Sequence, residues 1–94
     1  MSQKNSFKNY VIAFKPSALK ELGKLNRLTV CSIDQKLQDL VAGLSNVDIK
    51  KMKSCIDIYR MRCGDYRIVF EANKMIITIL VVKIAHRKDV YRDY

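Results

Sequence analysis

Ninety-four residues suffice for one packed core and leave no room for a second, so a single domain over residues 1–94 is expected. Eighteen Lys and Arg against nine Asp and Glu give a formal charge of +9, while 49% apolar residues are too many for a disordered basic tail. The longest apolar run, Met75 to Val82, falls far short of the ~20 residues of a membrane helix, and the polar opening MSQKNSFKN lacks the apolar stretch of an export signal; a cytoplasmic protein is expected.

Tyr10-Val11-Ile12-Ala13-Phe14 reads as a short strand. Pro16 suits the first turn of a helix, where its missing N–H costs nothing. Leu19, Leu22 and Leu25 at helical spacing, with Lys20, Glu21 and Lys24 opposite, predict an amphipathic helix near 16–26. Val30, Ile33, Leu37, Leu40, Val41 and Leu44 predict a second helix, with Thr29 as its N-cap and the Gly43, Ser45, Asn46 region as its stop. Residues 48–54 (Asp-Ile-Lys-Lys-Met-Lys-Ser) read as a basic connector. The periodicity then changes to two. Ile56 to Arg62 and Tyr66 to Glu71 form strands around a Gly64-Asp65 hairpin turn. Ala72-Asn73-Lys74 turns into a long apolar strand, Met75 to Ile84, expected at the sheet centre with both faces at least partly covered. The order β-α-α-β-β-β is an α+β fold: a helical hairpin on one face of a mostly antiparallel sheet, ending in a short helical or irregular tail.

Cys31, Cys55 and Cys63 are odd in number and widely spaced, which fits neither a disulfide framework nor a zinc site. Reduced thiols packed as small apolar residues are expected. His86 is the single histidine, so two-histidine metal motifs and histidine relays are excluded; a Cys/His nucleophile pair is left open. Gly23, Gly43 and Gly64 are isolated, and no phosphate-binding glycine loop is available. The chemistry falls to Arg, Lys, Tyr, Asp and Glu, with neither metal nor cofactor expected.

Arginine is unevenly placed. Arg27 stands alone early, whereas Arg60, Arg62, Arg67, Arg87 and Arg92 all fall in the second half. Strand alternation puts Tyr59 and Met61 on one face and Arg60 and Arg62 on the other. Across the turn, Tyr66, Ile68 and Phe70 match the apolar face and Arg67 the open one, with Lys83 placed to join it. Only Glu71 offsets these charges in this reading. A solubilising basic surface is one interpretation. An anion-binding face is the other, because a guanidinium fork can donate two hydrogen bonds to one phosphate and repeated phosphates mean nucleic acid.

The string Tyr59-Arg-Met-Arg-Cys-Gly-Asp-Tyr-Arg-Ile-Val-Phe, followed by Ile84-Ala-His-Arg-Lys-Asp-Val-Tyr91-Arg, resembles the RelE branch of the RelE/ParE toxin superfamily. So does the opening Tyr10-Val-Ile-Ala-Phe-Lys-Pro-Ser-Ala-Leu-Lys-Glu-Leu with Lys24-Leu25. The resemblance spans nearly the whole chain and implies the small RelE/ParE-like fold. It also implies a ribosome-dependent messenger-RNA interferase, the toxin of a type II toxin–antitoxin pair. Such a toxin cuts the codon in the ribosomal A site by attack of the 2′-hydroxyl on its own phosphodiester, leaving a 2′,3′-cyclic phosphate without a metal.

The family's catalytic positions fall on Arg60, Arg62, Arg67, Arg87 and Tyr91. The best-studied member carries lysines at the positions of Arg60 and Arg62. Arginine stays charged and cannot exchange a proton, so Arg60, Arg62 and Arg67 are expected to hold the scissile phosphate, and Arg87 the phosphate or the neighbouring backbone. Proton transfer then falls mainly to Tyr91, which could instead close the helical core. His86 is either an acid or a surface or stacking residue. Lys50, Lys51, Lys53, Lys83 and Arg92 are expected to contact RNA, with ribosomal RNA tracked by the three lysines of the connector, which otherwise form a solvated link. A RelB-like antitoxin is the expected protein partner. The alternatives are a ParE-like poison of DNA gyrase and a non-catalytic basic nucleic-acid-binding module.

Overall fold

The computed structural model describes residues 5–52 and 57–89. In chain order the elements are β1 (Val11–Phe14), α1 (Pro16–Gly23), α2 (Arg27–Val41), β2 (Asp48–Lys51), β3 (Ile58–Cys63), β4 (Tyr66–Asn73) and β5 (Thr78–His86). Among the described residues the strands make one sheet in the order β1-β5-β4-β3-β2. β1 runs parallel to β5 and every other pair is antiparallel. Among those residues, no helix is long and apolar enough to cross a membrane.

The two helices form as their sequence directs, with boundaries set by capping chemistry. Pro16 opens α1 after an extended Lys15. The helix stops at Gly23, shorter than its apolar spacing predicts, and Leu25 packs half-buried in the link. Its inward face is Ala18 and Leu22; Leu19 points outward, 52% exposed. Asn26, rather than Thr29, caps α2: its Oδ1 accepts from the Thr29 N–H at 2.9 Å, which makes Thr29 the recipient of the cap. At the other end Gly43, with φ +79°, lets the Gly43 and Leu44 N–H groups reach back to the Leu40 and Asp39 carbonyls at 3.2 and 3.1 Å.

The segment taken as a basic connector contains a strand. β2 pairs antiparallel with β3, Ile49 opposite Met61 and Lys50 opposite Arg60. Only Ile49 of its four residues is buried, so the lysines hide the alternation, and charge suits a strand at the sheet edge. The fold therefore carries four strands after the helices where three were expected. The long apolar strand is also shorter at its start: Lys74 to Ile77 form the turn, with Met75 92% exposed. Asn73 Oδ1 holds that turn by accepting from the Met75 and Ile76 N–H groups at 2.9 and 3.3 Å.

The main core lies between the helices and the sheet. Ile33, Leu37 and Leu40 of α2 meet Met61, Ile68, Phe70, Ile79, Val81 and Ile84. The N-terminal segment contributes to it as well. Phe7 is 4% exposed and sits edge-on to Tyr10, Tyr59 and Phe70, with ring centroids 5.3, 5.1 and 5.5 Å away. A smaller cluster, Val69 and Val82 with Met52, Ile58, Leu80 and Ala85, covers the other face. β5, between β1 and β4, is thus covered on both sides as its apolar sequence requires.

Candidate functional site

The hairpin β3–β4 sorts its side chains by strand parity. Tyr59, Met61, Tyr66, Ile68 and Phe70 pack with the helices. On the opposite side Arg60, Arg62 and Arg67 line a cleft of about 240 Å³ together with Asp48 and Lys50 of β2. The register explains the gathering. Asp48 is opposite Arg62, which is opposite Arg67, and Lys50 is opposite Arg60. Neighbouring strands stand about 4.8 Å apart, so three strands bring four cations onto one small patch.

The cations are held differently. Arg67 is 7% exposed, and its Nη1 donates to the Gly64 and Tyr66 carbonyl oxygens at 2.9 Å each. It therefore clamps the end of the hairpin while lining the cleft. Arg62 is exposed, and its Nη1 lies 3.7 Å from Asp48 Oδ2, too long for a hydrogen bond and readily exchanged for another anion. Arg60 is half-buried between Lys50 and Val69. The acid of this cleft is Asp48, where strand alternation alone predicts Glu71. The signal was there in Asp48-Ile49-Lys50: one apolar residue flanked by charges, at the period of a strand.

Arg87 follows β5 and lies against the Gly64-Asp65 turn. Its N–H donates to the Asp65 carbonyl at 2.7 Å, and its Nε is 4.0 Å from Asp65 Oδ1. Two other expected RNA contacts point elsewhere. Lys83 Nζ pairs with Glu21 Oε2 at 3.3 Å, and Glu21 Oε1 accepts from the Ile84 N–H at 2.9 Å; α1 thus draws Lys83 toward itself. Lys51 shares the face of Tyr59, with Nζ 5.9 Å from that ring centroid and 3.4 Å from Asp57 Oδ1. His86 stands edge-on to Tyr66, centroids 5.6 Å apart, on the helix side of the sheet, and its Nδ1 accepts from the Lys88 N–H at 3.2 Å. Lys53, Tyr91 and Arg92 lie outside the described residues.

A second groove, of about 530 Å³, runs between α2 and the hairpin tip and is lined by Leu28, Ser32, Lys36, Cys63 and Tyr66 among others. Burial there pushes the Cys63 thiol above the ordinary value of 9.0, with the Lys36 ammonium pulling the other way. Cys63, 7% exposed, is a packed thiol whose burial disfavours the nucleophilic thiolate. Among the described residues no three His, Cys, Asp or Glu side chains converge as a metal-ligand set.

Residues 12–91 match the family described as the ParE toxin of type II toxin–antitoxin systems, parDE. The toxin RelE3 of Methanocaldococcus jannaschii is 41% identical over 64 residues, 68% of this chain and 64% of that protein. This chain thus matches a little under two thirds of that relative's length. In the solved RelB–RelE antitoxin–toxin complex from Methanococcus jannaschii, a chain superposes with a TM-score of 0.72 at 28% identity, over 87% of this chain and 98% of that one. A chain of the intact E. coli RelBE toxin–antitoxin complex superposes with a TM-score of 0.69 over 82% of this chain and 95% of that one, and at 21% identity shares the fold.

Proposed function

The chain belongs to the ParE toxin family, on the RelE-type branch of the RelE/ParE superfamily of type II toxin–antitoxin systems, and from that premise we propose that it is a ribosome-dependent messenger-RNA interferase. The observation that carries this reading is the convergence of Lys50, Arg60, Arg62 and Arg67 on one cleft. In the proposed reaction a phosphodiester of the A-site codon sits in the cleft. Its 2′-hydroxyl attacks the phosphorus, giving a 2′,3′-cyclic phosphate and a 5′-hydroxyl. Arg60 and Arg62 neutralise the charge that accumulates on the equatorial oxygens, the part a metal plays in other nucleases. Arg67 adds its charge and keeps the hairpin in shape. Arg87, beside the same turn, binds the adjoining backbone. Tyr91 stacks on a base of the codon or takes part in proton transfer.

Lys51, Lys53, Lys83 and Arg92 then contact ribosomal or messenger RNA. A RelB-like antitoxin neutralises the toxin in the cytoplasm by laying a helix beside the helical hairpin and pairing an extended segment with the sheet; two relatives were solved as antitoxin–toxin complexes. Primer extension on a defined message, with and without translating ribosomes, tests the reading. Cuts inside A-site codons appear only with ribosomes, and Arg60→Ala and Arg62→Ala each weaken them roughly 10²-fold. The matched family is named for the ParE toxin, which favours one second reading, a poison of DNA gyrase. Growth arrest without message cleavage, unchanged in Arg60→Ala, selects it.

A further inference from the structure

The proposed cleft gathers four cationic side chains, and a transesterification needs a group that accepts a proton. Among the described residues lining it, Asp48 alone carries a carboxylate. We infer that Asp48 is the general base of the reaction, taking the proton of the attacking 2′-hydroxyl, and that Lys50 supplies the proton to the leaving oxygen. This rests on the interferase reading.

The placement follows from strand geometry. Asp48 and Lys50 are two apart on one strand and project to the same side, about 6.7 Å from each other at their Cα atoms. Arg62 and Arg60 stand directly opposite them on β3. A phosphate seated on the two guanidiniums therefore has a carboxylate on one flank and an ammonium on the other. An in-line displacement requires that arrangement, because its entering and departing oxygens leave the phosphorus in opposite directions. The Arg62–Asp48 contact, 3.7 Å long and exposed, is loose enough for the incoming phosphate to take Arg62 and leave the carboxylate to the hydroxyl.

The step balances. The 2′-O–H proton passes to the Asp48 carboxylate as the 2′-oxygen bonds to phosphorus. The P–O5′ bond breaks, its electron pair goes to the 5′-oxygen, and that oxygen takes a proton from the Lys50 ammonium. Solvent then removes the proton from Asp48 and restores the one on Lys50. Tyr91 is left to stack on a base.

The test is single-turnover cleavage of a defined message on programmed ribosomes, with ribosome binding measured separately. The charged groups facing Asp48 are Lys50 on its own strand, Arg60 and Arg62 from β3 and Arg67 from β4. Asp48→Asn slows cleavage roughly 10²-fold or more and binds ribosomes as tightly as wild type or tighter. Asp48→Glu restores much of the rate. Cleavage by Asp48→Asn within about threefold of wild type overturns the assignment, leaving Asp48 as a counter-ion of Arg62. A wild-type protein that cuts no message on ribosomes ends the interferase reading itself, and the base with it.

Discussion

Arg67 has two tasks in this fold, and its replacement should cost stability before it costs chemistry. In Arg67→Ala the Gly64 and Tyr66 carbonyls lose a donor that reaches both at 2.9 Å. Each hydrogen bond from a charged donor contributes roughly 1.5–3 kcal/mol. Both acceptors lie at a hairpin end where water replaces part of the loss, so the lower figure applies, about 3 kcal/mol for the two together. A domain of this size loses roughly 4–8 °C of Tm per kcal/mol, which gives a fall of about 12–24 °C. Arg62→Ala is the internal comparison: its exposed pair with Asp48, at 3.7 Å, contributes about 0–1 kcal/mol. Circular-dichroism melts of wild type, Arg67→Ala, Arg67→Lys and Arg62→Ala measure the difference directly. Arg67→Lys keeps the charge without the planar fork and should fall between. An Arg67→Ala protein melting within about 4 °C of wild type, level with Arg62→Ala, would show that the clamp contributes nothing and refute this account of the hairpin.

Two further outcomes follow from the core. Phe7→Ala removes a ring 4% exposed that touches three other aromatics; urea unfolding should show a loss of about 3–5 kcal/mol, and a loss under 1 would place Phe7 outside the core. For Cys63, burial favours the neutral thiol. Its folded-state value lies above the unfolded one, so its contribution to stability is present below about pH 9 and lost as pH rises through the folded value. The urea midpoint should fall above pH 9 more steeply in wild type than in Cys63→Ala. In a protein retaining Cys63 alone, a thiol reagent at neutral pH should react only after denaturant is added, whereas exposed Cys31 reacts at once.

The alternation Tyr59-Arg60-Met61-Arg62 and its return through Tyr66-Arg67-Ile68 was enough to place three arginines on one face, because a hairpin with a two-residue turn fixes both parity and register. The stripe Ile33, Leu37, Leu40 was legible for the same reason, a period matched to its element. What escaped lacks a period. Phe7 is one apolar residue in a polar run, buried because the chain from Asn5 folds back onto α2, with Asn5 Nδ2 donating to the Leu40 and Leu44 carbonyls at 2.9 and 2.8 Å. Met75 to Ile77 mimic a strand in composition, yet the Asn73 side chain bends them into a turn in which Ile77 takes φ +49°. Asn26 and Thr29 are both competent caps, and nothing local chooses between them. Asp48 escaped because β2 spends three of its four residues on charge.

The position of β5 has a consequence for how a newly made chain acquires its shape. It follows every other strand in sequence yet lies between β1 and β4, so the register Val11 to Thr78 joins residues far apart along the chain. Contacts of such separation form slowly, and synthesis proceeds at roughly 5–20 residues per second. Until Thr78–His86 emerges, β1 has no neighbour to pair with and the Val81 and Ile84 side of the core is missing. A nascent chain halted at the Asn73 turn possesses every residue of the cationic cleft but not the strand that pairs with β4 along its other edge. The basic face is therefore encoded before the strand that braces it and is among the last parts to be made rigid, which leaves an interval during synthesis when the chain is present without its finished surface.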